Sequence, residues 1–326
     1  MQITKKVGIV VLTWNDSKNT IECLKSILKS DYNKYDIILV NNNSSKNHIL
    51  QIKKWGSKRI LEITKNYKIT NTGQKKLYLL NSNKIKNQKW AFNLGCTAGL
   101  NLGYKFCLNQ NYDFIARIDC DFIITKNYLS GMIKSLTTDE SIVAISPKIL
   151  HEAHRWNVLW HNFKFKWNFL KFQKTMNLKK YRLIDNKNLS GQKEVDAICG
   201  CCSVYRASVL KKNGLGDEDF FFGPEDIELS FRLKKFGKLI ANLNYKTYHK
   251  VASSINVSGI RQRAYFEAIG WLLLIKKIGN LSDKFIGYSY FFLRVPYYLM
   301  LSIFKKNNKE RYYGFCEGTL EFFKKY

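Results

Sequence analysis

Apolar runs and helical periodicities alternate through the first half of the chain. Val7–Thr13 (VGIVVLT) is an unbroken β-rich run, SKNTIECLKSILKS then places Ile21, Leu24, Ile27 and Leu28 at helical spacing, and YDIILVNNNSS is a second apolar run ending in polar turn residues. This β-α-β order predicts a parallel sheet covered by helices, with ligands gathering beyond the carboxyl ends of its strands. KKLYLLN reads as a third strand, and the glycine-punctuated WAFNLGCTAGLNLGYKFCLNQ as a helix. Phe114–Ile118 is a further strand, followed by a helix over Asn127–Leu136 and a strand over Ile142–Ile145 that closes at Ser146 and Pro147. Residues 151–192, with Trp156, Trp160 and Trp167 in no clean period, break the pattern and read as an insertion or flap that either packs down or holds an acceptor. In GDEDFFFGPEDIELSFRLKKFG, Gly223 and Pro224 read as N-cap and first helical residue, and Gly237 as the stop.

Polar residues end each strand of the first half: Thr13-Trp14-Asn15, then Asn41 to Ser44, then Asp119-Cys120-Asp121. Three strand ends thus point at one crevice. Aspartate at a strand end often only starts a turn. Residues two apart on an extended chain also point the same way, so Asp119 and Asp121 could instead share one divalent cation, though the turn is the commoner reading for such a pair alone. Gly95, Gly99 and Gly103 line one side of their helix, which suits either tight packing or close approach of a ligand. Glu225 and Asp226 fall in a first helical turn, where acids are ordinary stabilisers. The same position keeps a carboxylate ionised and ready to act as a base at neutral pH.

Composition narrows the class. The 326 residues are 45% hydrophobic and 14% aromatic with three prolines, which predicts a folded globule and excludes a disordered or Pro-rich chain. A formal charge of +29 calls for an anionic partner or reflects lysines scattered by composition alone. No nucleic-acid-binding motif accompanies it, so no nucleic acid is expected. The eight cysteines lack the spacing of a disulfide scaffold or a zinc site and read as buried thiols of a reducing compartment. The chain enters a strand at once, with no signal peptide, which predicts a cytoplasmic protein. Tyr288–Phe304 is greasy but carries Arg294 and Pro296; it fits a helix lying in a membrane headgroup region or a buried core helix better than a span.

Taken in order and spacing, GIVVLTWN, CLKSIL, DIILVNNNSS, NLGCTAGLNLG, ARIDCDF, DEDFFFGPEDIELSFRLKKFG and YHKVASS resemble the inverting GT-A glycosyltransferases of the large family two, especially its rhamnosyltransferase-like branch. The resemblance covers roughly residues 5 to 255. It implies a GT-A fold, an α/β Rossmann-like domain with a mainly parallel central sheet over residues 1–255, and a helical C-terminal region over 256–326. It implies that Thr13, Trp14 and Asn15 line the nucleotide pocket, that Asn41 stands where the family commonly has an aspartate on the base, and that Asn93, Gly99 and Asn101 lie beside the nucleoside. Asp119 and Asp121 match the DxD motif, with Asp121 the direct metal ligand and Asp119 near the ribose or the metal's water shell. Asp226 matches the catalytic base, Glu225 is its neighbour, and His249 falls where some members place a further metal or diphosphate contact. Asn41 in place of aspartate departs from the family pattern and leaves base preference open. The full DxD departs from many rhamnosyltransferase-like relatives, favouring the metal and leaving rhamnose open.

The expected activity is transfer of a sugar from a nucleotide-sugar donor to a saccharide or lipid-diphosphate-linked acceptor. The expected cofactor is a divalent metal, Mg²⁺ or Mn²⁺, which neutralises charge on the leaving diphosphate. The segment RQRAYFEAIGWLLLIKKIG and the helix after it, with the excess positive charge, suit an enzyme at an anionic membrane surface. Two rivals remain. A sugar-nucleotide nucleotidyltransferase shares the pocket and the metal but calls for a glycine- and arginine-rich loop where this chain has TWNDSKN. A non-catalytic carbohydrate- or nucleic-acid-binding protein has no need of both acid clusters.

Overall fold

The structure, a computed structural model, describes residues 5–57, 59–62, 72–87, 89–154, 158–160, 185, 189–250, 259–304 and 306–326. Most of the 151–192 insertion, with Trp156 and Trp167, lies outside the described residues, as does the end of YHKVASS.

The expected β-α-β opening is β1 (Val7–Thr13), α1 (Ser17–Leu28) and β2 (Tyr35–Asn42). Both strands are buried along almost their whole length, which is why they read as continuous apolar runs: a central parallel strand is covered on both faces. After α2 (Lys46–Trp55) come β3 (Ile60–Glu62) and β4 (Leu77–Ser82), then α3 (Cys96–Asn109), β5 (Phe114–Ile118), β6 (Phe122–Ile124), α4 (Tyr128–Thr138) and β7 (Ile142–His151). Two short strands, β8 (Val158–Trp160) and β9 (Gln192–Glu194), flank the insertion, and β10 (Cys202–Arg206), α5 (Ala207–Asn213), α6 (Glu225–Leu233) and β11 (Lys238–His249) complete the sheet. Its order is β3-β4-β2-β1-β5-β10-β7-β11-β6, with β8 on β7 and β9 on β11. From β3 to β5 every pairing is parallel; β10 runs antiparallel between β5 and β7, and β11 lies parallel to β7.

Two apolar clusters cover the sheet, one beneath α1, α2 and α4, the other beneath α3, α5 and α6. The α3 glycines are packing positions. A Cβ on Gly103 would lie 2.4 Å from Val10, one on Gly99 2.8 Å from Leu12, and one on Gly8 of β1 2.4 Å from the Cys107 sulfur, so helix and strand touch nearly backbone to backbone. Asp36 at the start of β2 is fully buried, yet its carboxylate accepts from the N–H groups of Gly73, Gln74 and Lys76 and from the Tyr112 hydroxyl. That acceptor set docks the approach to β4, a stretch with no period of its own.

Three boundaries differ from the sequence reading. The helix α3 starts at Cys96 because Gly95 takes φ +85° at its N-cap. The strand β7 does not close at Pro147 but runs on to His151; the register with β11 shifts just after Pro147, where the missing N–H would interrupt the ladder. Pro224 is the N-cap of α6 rather than its first residue, and α6 tightens into a 3₁₀ turn at Lys234–Phe236 before Gly237.

The C-terminal region is three helices: α7 (Ile260–Ile278), α8 (Leu281–Phe304) and α9 (Lys306–Lys325). Much of α7, the first segment of that region, packs against the protein itself. It buries Leu272, Leu273, Leu274 and Ile275 in succession, in a cluster shared with Ile227 of α6 and with α8 and α9. No described helix is long and apolar enough to cross a membrane. All eight cysteines are free thiols.

Candidate active site

The carboxyl ends of β1 and β2 are in register, Thr13 beside Asn41, so the loops after them are cross-tied. Asn15, at φ +53°, accepts from Ser45 N–H at 2.8 Å and donates its own N–H to Ser44 Oγ at 3.0 Å. Thr13 Oγ1 bonds Thr20 of α1 at 2.7 Å, while Trp14 between them stays half-buried. The three asparagines after β2 each hold a different segment. Asn41 accepts from Ser44 N–H and donates to Asn81; Asn42 bonds Gly95 O and Leu94 N–H; Asn43 donates to Phe92 O. Asn41 is only 6% exposed and both ends of its amide are engaged, so here it holds the loop after β2.

The glycine-rich segment serves the same end. Asn93 accepts from Gly95 N–H at 2.7 Å, and Gly99 faces Leu12 and Asn42. Asn101 grips both backbone groups of Gly216 and reaches Glu218, anchoring the acidic loop to α3. The start of α3 also receives that loop directly, Cys96 N–H donating to Phe221 O at 2.6 Å. The loops after β1 and β2, the start of α3 and the acidic loop are therefore one connected unit.

The acid turn after β5 is not extended. The chain turns at Cys120 and Asp121, Phe122 N–H donating back to Asp119 O at 3.0 Å, and the two carboxylates take different partners. Asp119 is held by a fork from Arg117, Nε at 2.9 Å and Nη2 at 3.2 Å. Burial pushes its carboxyl up, Arg117 pulls it down, and Asp121 and Glu225 push it up again. Asp121, 8% exposed, places Oδ2 3.2 Å from Nε2 of His249, whose ring stacks on Phe122 at 4.4 Å. The antiparallel pairing of His249 with Phe122 brings these residues together from opposite parts of the chain.

A cation bound by oxygen and nitrogen at about 2.1 Å has neighbouring ligands roughly 3 Å apart, which the Asp121–His249 spacing matches. Among the described residues no three or more metal-ligating side chains gather. The carboxylate of Asp121 and the imidazole of His249 are donors that suit a divalent ion, while Asp119 is engaged by Arg117.

Arg117 was not singled out from the sequence. It is 4% exposed, and besides Asp119 its Nη1 reaches Glu225 Oε1 at 3.3 Å and its Nη2 the Cys96 sulfur at 3.4 Å. Burial works against its charge, while Asp119, Cys96 and Glu225 hold it protonated. Gly200 was missed too. Its N–H donates to Asp226 Oδ2 at 3.0 Å, and a Cβ there would lie 2.6 Å from Asp226 Cβ and 2.8 Å from Arg117 Nη1. Next to it, Cys201 O accepts from Asp119 N–H at 2.8 Å, so one short segment touches both acid clusters. A lone glycine between cysteines carries no signal of this in the sequence.

Asp226 also accepts from Ile227 N–H at 2.9 Å. The first-turn position was expected to depress its pKa. Instead burial, then Glu225, raises it to about 6, and the bonds from Gly200 and Ile227 offset only part of this. Asp226 is still ionised at neutral pH and is more basic than an exposed carboxylate. A Cβ on Gly270 of α7 would fall on Gly223 O, so the C-terminal helices brace the loop that presents Asp226. The cavity lined by Lys5, Asp113, Arg206 and Lys211, about 300 Å³, sits at the amino ends of β1 and β5, away from this chemistry.

Comparison with known proteins agrees with this architecture. Mannosyltransferase PcManGT from Pyrobaculum calidifontis, solved with GDP-Man and Mn²⁺, superimposes with a TM-score of 0.56 at 11% identity over 99% of this chain and 88% of that one. GalNAc-T7, solved with UDP, GalNAc and Mn²⁺, gives 0.53 at 12% identity over 89% of this chain and 55% of that one. TarS of S. aureus gives 0.50 at 17% over 79% of this chain but 39% of its own length. At these identities the likeness is one of fold. No curated protein matches by sequence. The model of the family described as glycosyl transferase family 2 matches residues 8–214, which takes in the loops after β1 and β2, the acid turn and Gly200 and stops short of Asp226. The chain belongs to glycosyl transferase family 2.

Proposed function

We propose that the protein transfers a sugar from a nucleotide-diphosphate donor to an acceptor hydroxyl with inversion at the anomeric carbon, and that Asp226 is the base. The observation that carries this is the division of labour between the two acids of the pair. Glu225 is spent on Arg117, whereas Asp226 is held by two backbone N–H groups with its pKa raised to about 6. A carboxylate of that basicity takes the acceptor's hydroxyl proton as the oxygen attacks C1. The bond to the diphosphate breaks on the opposite face of the sugar, so one displacement inverts the centre without a covalent enzyme intermediate. Asp121 and His249 would hold a Mg²⁺ or Mn²⁺ ion, which supplies neutralisation of the charge left on the diphosphate. Thr13, Trp14, Asn15 and the Asn41 loop form the wall for the nucleotide, and Asp119, fixed by Arg117, faces the ribose side.

The acceptor is a saccharide or a lipid-diphosphate-linked sugar, which places the reaction in cell-surface polysaccharide or glycolipid synthesis. The test is a panel of UDP-, dTDP- and GDP-sugars with Mg²⁺ or Mn²⁺. One donor should raise the Tm and be slowly hydrolysed, and Asp226→Asn should keep the Tm shift and lose the turnover. Product of retained anomeric configuration, or full turnover in Asp226→Asn, would sink the proposal.

A further inference from the structure

We propose that the outward face of α8, continued by α9, docks the protein on an anionic lipid bilayer, with the helix lying in the plane of the interface. Phe285, Phe292, Leu299 and Ile303, spaced by seven, seven and four, share one side of α8, and Leu293 and Met300 form the row beside it. Their exposures run from 48% at Leu299 to 75% at Phe285 and Ile303. Phe323 of α9, 49% exposed, stacks on Phe292 at 5.8 Å and widens the patch. The opposite side of α8 is the one that packs inward. Phe291 is buried there, and Gly287 lets α8 approach Ile275 of α7 closely.

Charge is kept off the outward face. From Phe285 to Ile303 the sequence holds one charged residue, Arg294, and its guanidinium sits over the rings of Tyr290 and Tyr298 at 4.8 and 5.4 Å, on the i, i+4 row of the far side. Lysines stand at the borders instead: Lys284 before the face, Lys309 after it, and Lys324 and Lys325 at the end of α9. An apolar stripe bordered by cations is the arrangement of a helix half-sunk among anionic headgroups. A second copy is the poorer occupant, because each chain carries +29 and pairing would bring like charges together. Crossing the bilayer is excluded for α8, since no described helix is apolar enough.

The inference does not depend on the donor chemistry, and the assay separates the two. Full-length protein is floated with vesicles of phosphatidylcholine alone or mixed with phosphatidylglycerol, at low and high salt, while donor hydrolysis is followed in solution. Flotation with the anionic vesicles only, reduced by salt, is expected. Phe292→Ser with Ile303→Ser should weaken it about tenfold or more, with donor hydrolysis unchanged. Leu293→Ser and Met300→Ser repeat the test on the neighbouring row should the first pair disturb folding. The inference is overturned if neither vesicle binds the protein, or if the variants float like the parent. It is equally overturned if light scattering finds a dimer that these substitutions split.

Discussion

Arg117 reaches Glu225 across 3.3 Å while its fork grips Asp119, so a single buried guanidinium joins the two acid clusters that lie more than a hundred residues apart in sequence. Charge balance explains the arrangement. Two carboxylates brought together out of water repel unless a cation lies between them, and Arg117 is the cation that the fold supplies.

Replacing Arg117 by Met should therefore cost about 3–5 kcal/mol of stability, because it strands Asp119 and Glu225 against each other. Arg117→Lys keeps the charge but not the fork, and it should fold better than Arg117→Met while remaining well below wild-type turnover. Thermal unfolding together with donor turnover measures both effects. Equal Tm values for wild type and Arg117→Met would refute the role.

The pH dependence follows from Asp226. A base must be ionised to accept a proton, and this one has its pKa raised to about 6, so kcat should fall as pH drops through about 6 and level off above about 7. In Asp226→Asn turnover should drop about 10³-fold, and the residual rate should lose that acid limb. Rate profiles of both proteins between pH 5 and about 8 decide it.

Gly200→Ala tests the segment between the clusters. The added Cβ would sit 2.6 Å from Asp226 Cβ, so the base must move. A shift of that kind costs roughly 10²-fold in kcat, and because the same Cβ would sit 2.8 Å from Arg117 Nη1, which holds Asp119, a smaller loss of donor affinity should accompany it. Calorimetric titration of donor beside steady-state turnover makes the distinction.

Metal dependence should run through Asp121 and His249. A chelator should abolish turnover and Mn²⁺ or Mg²⁺ should restore it, while His249→Ala should need about tenfold more metal for half-maximal rate. Asp119→Asn, by contrast, should leave the metal requirement near wild type and lower donor binding. Metal titrations of the two variants against wild type check the assignment.

Gly270→Ala lies in a helix with no residue in the site. Its Cβ would fall on Gly223 O, and pushing that loop should lower kcat several-fold through Asp226 without changing donor binding. Unchanged kcat would mean that the C-terminal helices do not brace the base.

The α/β order, the strands over Val7–Thr13 and Phe114–Ile118, and the two acid clusters were legible along the chain because buried parallel strands and first-turn acids leave local marks. The family resemblance rested on the same local marks. What the sequence could not carry were relations between distant segments. Arg117 reads as one more strand residue until the turn at Gly223–Asp226 is folded over it. The backbone N–H of Gly200 has no signature at all. The two aspartates of the acid turn point to different partners because tertiary contacts with Arg117 and His249, not the two-residue period, set their directions. The same holds at the C-terminus, where apolar content marked both α7 and α8 as greasy, but only packing could bury one and leave the other's face open. Local pattern determines which elements form; burial and charge pairing between elements decide which side chains meet and what their protons do.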